Sequence, residues 1–114
     1  MKSVIIVGCG SYMDSTYGCP GEWRCLKAAT FGEGEFSEPS RVIAFVRCEC
    51  PGRATLATIK MAIKLSGSKV DEIYLSNCFY KPKPECPYFK AEEFAKTLEE
   101  NLGIKVHFGT HSYA

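Results

Sequence analysis

Val4-Ile5-Ile6-Val7-Gly8-Cys9-Gly10, near the amino terminus, decides the fold. Four β-branched residues in a row, with no polar alternation, suit a strand covered on both faces. Such a strand belongs in the middle of a parallel sheet flanked by helices. Three later segments repeat the theme. Arg41 to Arg47 is a second apolar strand that ends at Cys48-Glu49-Cys50. Val70 to Ser76 is a third that ends at Asn77-Cys78, and Ile104 to Phe108 is a fourth that runs into Gly109-Thr110-His111.

Helical patterns fill the gaps between these strands. A short helix follows Cys19-Pro20 and runs through Glu22 to Ala29, and Phe31 to Ser40 reads as an exposed loop. After Pro51, Leu56, Ile59 and Ile63 recur at helical spacing, with Lys60 and Lys64 on the other side and Gly67 as a stop. Lys81 to Pro84 is a stiff loop. After Cys86-Pro87, a third helix carries Phe94, Leu98 and Leu102 on one stripe and Glu92, Glu93, Lys96, Glu99 and Glu100 on the outside, closing at Gly103. The β-α-β-α-β-α-β alternation implies right-handed crossovers and a parallel sheet. The expectation is one three-layer Rossmann/flavodoxin-like α/β domain over residues 1–114, its four-stranded sheet in the order 2-1-3-4. Ligands of such sheets bind at the carboxyl edge of the strands, at the switch point between the first and third.

Composition narrows the function. The 114 residues carry 24% charged side chains and a formal net charge of +1, which gives no electrostatic basis for binding nucleic acid or an anionic membrane. No apolar run approaches a membrane span, and the apolar run after Lys2 is shorter than a secretory core. The expected compartment is the cytoplasm. Seven cysteines, an odd number, then point to reduced thiols for metal or redox work rather than a disulfide framework. A plainer reading makes some of them small buried hydrophobes.

Three cysteines immediately precede prolines: Cys19-Pro20, Cys50-Pro51 and Cys86-Pro87. Proline favours the first helical position, so each of these cysteines is predicted at an N-cap, where the helix dipole favours a thiolate. The topology brings Cys9, Cys48, Cys50, Cys78, Cys86 and His111 to one edge, leaving Cys19 and Cys25 peripheral. Cysteine thiolates and histidine are zinc's ligands, and an iron–sulfur cluster is the second metal reading. The rival is metal-free chemistry, with Cys50 as a redox or nucleophilic thiol near Arg47 and Arg53 and with Cys78 or Cys86 resolving it. Other sites fail on spacing. A phosphatase Cys-x5-Arg loop is absent, and the third glycine of a dinucleotide fingerprint falls on Met13. The predicted helix starts still leave room for a small anion, with Arg53 as its binding or supporting residue. No general base is paired with a nucleophile by any local motif.

Gly8-Cys9-Gly10, Cys50-Pro51-Gly52-Arg53, Leu75-Ser76-Asn77-Cys78, Cys86-Pro87-Tyr88 and Gly109-Thr110-His111, in that order, resemble the CGGC-domain family of small prokaryotic proteins. The resemblance spans nearly the whole chain and implies metal binding, with zinc suggested by the cysteines and histidine. The namesake motif has cysteines first and fourth. Here Arg47 stands first and a cysteine follows one place later, so the pair becomes Cys48-Glu49-Cys50. Two thiols spaced i, i+2 on an extended segment point the same way and can share a metal. The partner implied is a metal ion; sequence leaves protein partners and oligomeric state open.

Overall fold

The computed structural model describes residues 1–10, 13, 23–49, 52–80, 86, 88 and 90–111. In chain order the described elements are β1 (Lys2–Cys9), α1 (Trp23–Phe31), β2 (Ser40–Cys48), α2 (Thr55–Ser66), β3 (Glu72–Leu75), α3 (Asn77–Tyr80), α4 (Ala91–Leu102) and β4 (Lys105–Phe108). The strands form one sheet in the order β2-β1-β3-β4, every pair parallel. This is the flavodoxin- or Rossmann-like arrangement expected from the alternation, and β1 is central because its Val4–Val7 run is fully buried.

Period-two alternation sorts the strands onto two faces. Ile5, Val7, Val46, Ile73 and Leu75 pack under Ile59 of α2 and Phe94, Ala95 and Leu98 of α4. Val4, Ile6 and Tyr74 face Cys25, Ala28 and Ala29 of α1. The apolar stripe of α4 lies where the spacing put it, with Phe94 and Leu98 buried, each contributing about 1.5–3 kcal/mol by burial. Gly67 and Gly103 close α2 and α4 at φ of 65° and 66°.

Three features differ from the sequence reading. Phe36, in the stretch expected to be an exposed loop, is buried and stacks on Tyr74 with ring centroids 4.1 Å apart. A nine-residue α1 is too short to cover its sheet face, so the following loop supplies an aromatic lid. Secondly, α2 and α4 begin about one turn later than the prolines suggest. Gly52, at φ 79°, opens a turn in which its carbonyl accepts the Thr55 N–H, and Lys90 is extended (φ −104°, ψ 127°). Ala54 and Lys90 are therefore the N-caps of α2 and α4, and Cys86 is not one; Cys50 lies outside the described residues. Cys19-Pro20 and Lys81–Pro84 lie outside the described residues. Thirdly, β3 ends at Leu75, and the segment from Asn77 to Tyr80 turns once as α3.

Among the described residues, no helix is long and apolar enough to cross a membrane.

Candidate functional site

The carboxyl edge is built by three strand ends. β1 and β2 start in register Lys2↔Ser40, and between Val4 and Ile5 the register shifts by one residue. The shift decides which side chain meets Cys9. Carried on unshifted, the ladder would set Arg47 beside Cys9; with the extra residue in β2, Cys48 takes that place. Both cysteines follow apolar residues of the α2/α4 face, and Cys48 belongs to that core.

Gly10 follows at once, and a larger residue there would press on the Glu49 side chain and the Cys48 carbonyl. A Cβ would stand 2.7 Å from Glu49 Oε1 and 3.0 Å from the Cys48 carbonyl oxygen. The ends of β1 and β2 are thus held in close approach. Arg47 adds to this by donating from Nη2 to the Gly10 carbonyl at 3.4 Å while pairing with Glu49 at 3.6 Å.

The third thiol arrives from β3. The Ser76 N–H continues the ladder to the Val7 carbonyl (2.8 Å), and α3 then turns Cys78 back over β1. The Cys78 sulfur accepts the Cys9 N–H at 3.3 Å and lies 2.9 Å from the Ser76 hydroxyl. The Cys48 sulfur in turn accepts the Thr55 hydroxyl at 3.3 Å. Sulfur is a weak acceptor, so donors aimed at it act more on orientation than on stability.

His111 is tied to the same corner through its backbone. Asn77 Oδ1 accepts the N–H groups of Thr110 (2.8 Å) and His111 (3.3 Å), and Asn77 Nδ2 donates to the His111 carbonyl at 3.0 Å. One amide side chain thereby joins the start of α3 to the segment leaving β4.

The remaining candidates are less closely joined. Cys86 is half-buried, Arg53 is exposed at the turn before α2, and Cys50 lies outside the described residues. Cys25, expected to be peripheral, is buried in α1 with its sulfur 3.2 Å from the Thr110 hydroxyl, which is a packing role. The five described cysteines are thiols. Among the described residues, no three Cys, His, Asp or Glu side chains are grouped so as to hold a metal ion.

Sequence reasoning missed Thr55, Ser76 and the bridging role of Asn77. Ser76-Asn77-Cys78 stood out as a motif, but nothing local showed that Asn77 reaches residues 33 and 34 positions away.

The described aromatics that flank the thiols divide between packing and exposure. Phe79 meets Phe94 at 5.3 Å and Tyr80 meets Phe108 at 5.0 Å, whereas Trp23 and Tyr88 are exposed.

A second polar cluster sits on the α1 face of β3 and β4. Glu72 contacts His107 Nε2 at 2.8 Å and Lys2 at 3.4 Å, and it accepts the Tyr74 hydroxyl at 3.1 Å. Burial opposes ionisation of Glu72, but the hydrogen bond and charge of His107, with Tyr74 and Lys2, outweigh it and hold the carboxyl below its ordinary 4.5. Burial, followed by the charge of Glu72, pushes the Tyr74 phenol upward.

Comparison with known proteins agrees with this architecture's sequence signature. The CGGC domain model matches residues 3–111. An uncharacterized protein of Methanocaldococcus jannaschii is 35% identical over 115 residues, covering 96% of this chain and 86% of its own length. No solved structure matches. The match begins in β1 and runs through the His111 corner, and on it the chain belongs to the CGGC-domain family.

Proposed function

We propose that the carboxyl edge is a thiol centre that binds a thiophilic metal ion. The observation that carries this reading is the approach of three thiols from three strand ends: Cys48 beside Cys9 in the ladder, and Cys78 on the Cys9 amide. Cys9, Cys48 and Cys78 are the inner ligands in this proposal, with the set completed from Cys50, Cys86 and His111. Zinc is the preferred ion because it takes cysteine and histidine at four positions. An iron–sulfur cluster ranks second, since its ligands would come from separate loops rather than one tight run. A bound ion would neutralise the thiolates and lock the strand ends together. Arg53 serves an anion beside the centre.

One observation favours a second reading, a metal-free dithiol. The described donors do not by themselves group as a metal set. In that case Cys50 attacks an external disulfide, releasing one thiol, and Cys78 or Cys86 displaces the second while Cys50 forms an internal disulfide. The external disulfide gains the two electrons that the protein thiols lose.

Elemental analysis and a UV–visible spectrum of untagged protein purified without oxygen separate these. About one zinc per chain with no visible absorbance supports the first reading. Iron with sulfide and visible colour selects the cluster. Absence of metal, together with one cysteine alkylating fastest near neutral pH, selects the dithiol.

A further inference from the structure

A groove of about 630 Å³ lies between the amino-terminal ends of α2 and α4, outside the three thiols. Leu56 and Phe94 give it apolar walls, and the exposed ring of Tyr88 stands at its side. Arg53 and Lys90 both line it, and neither forms an ion pair within the described residues. The carboxylate of Glu93 is the opposing charge on the wall. An apolar groove with a few charged groups is the common form of a small-molecule site, where the charges set orientation. Two cations against one carboxylate select a negative group, and a guanidinium matches a carboxylate in planar, bidentate fashion. Leu56, Phe94 and Tyr88 then select an apolar or aromatic body.

We infer that this groove binds a small organic carboxylate, its anionic end at Arg53 and Lys90 and its apolar end against Leu56, Phe94 and Tyr88. The groove adjoins the thiol centre through α2, whose Thr55 donates to the Cys48 sulfur. This develops the assignment of Arg53 to an anion, and its test needs neither metal nor thiol chemistry. It therefore fails or succeeds apart from the metal proposal.

Benzoate is the probe and benzyl alcohol the neutral control, each titrated into the full-length protein and followed by amide ¹H–¹⁵N correlation spectra. Saturable benzoate shifts are expected at Gly52, Arg53, Lys90 and Phe94, with benzyl alcohol far weaker. The double variant Arg53→Gln/Lys90→Gln should bind benzoate about tenfold more weakly, a loss of about 1.4 kcal/mol. Glu93→Gln, which removes the opposing charge at an exposed position, should bind it more tightly. Any of four results overturns the inference: an equal response to benzyl alcohol, benzoate shifts centred elsewhere, no saturable response, or unchanged affinity in both variants.

Discussion

The two polar regions of this sheet are built on opposite terms. The Glu72 cluster is ionic and closed: carboxylate, imidazole, ammonium and phenol meet around one acid, and Tyr74 is roofed by Phe36. Around its thiols the carboxyl edge is ordered by neutral hydrogen bonds, with the Arg47–Glu49 pair beside them. Asn77 clamps Thr110 and His111, and Ser76 and Thr55 steady two sulfurs. The contrast teaches that one carboxylate ties β3 to its neighbours on the α1 face, whereas an amide and two hydroxyls order the thiol edge. It also sets different pH behaviour for the two regions.

The largest break comes at the loop that backs the edge. Gly34, at φ 59°, packs on the Thr110 carbonyl and stands so that a Cβ would lie 2.8 Å from His111 Cα. Gly34→Ala combines left-handed strain with a backbone clash, and should cost about 2–4 kcal/mol in urea unfolding. Asn77→Ala comes next. It strands the N–H of the buried Thr110 and separates α3 from the segment after β4, for about 2–3 kcal/mol. That loss should be the same at pH 4 and pH 7, because no titrating group is removed.

Glu72→Gln sharpens the comparison from the other side. The folded carboxyl titrates below its ordinary 4.5, so its contribution is fully present above that value and is lost as pH falls through the folded pKa. The substitution should cost about 1.5 kcal/mol near neutrality and flatten the acid limb of the stability curve below about pH 4.5. A variant whose acid limb matched the wild type would remove Glu72 from that role. Thr55→Val is the mildest change. Deleting the hydroxyl over Cys48 should lower stability by about 0.5 kcal/mol and alter the alkylation rate of Cys48 while leaving Cys9 unchanged, as peptide mapping of labelled thiols would read.

Much of the frame was legible because periodicity survives without tertiary detail. Val4–Val7 announced a central strand, and the alternation of elements announced the order β2-β1-β3-β4. What could not be read was phase. Cys48 rather than Arg47 stands beside Cys9 because β2 gains one residue opposite the Val4/Ile5 step, and no residue there marks it. The prolines misdirected the helix starts, since Gly52 and the extended Lys90 interpose a turn between cysteine and helix. Phe36 looked like a loop residue because its burial depends on how little of the sheet α1 covers. For the candidate site, sequence indicated the thiols and their edge; Asn77 acts 33 and 34 residues away, a distance that local pattern does not record, whereas Ser76 and Thr55 act within seven residues through contacts set by how the chain turns after each strand.

The central claim is that Cys78 and Cys48, brought to Cys9 by separate strands, hold a metal ion together. Metal content of wild-type protein, measured beside Cys78→Ser and Cys48→Ser purified identically without oxygen, tests it most directly. The account predicts about one zinc per chain in the wild type and loss of most of it in each variant. Equal metal in all three proteins, or none in the wild type, would contradict it.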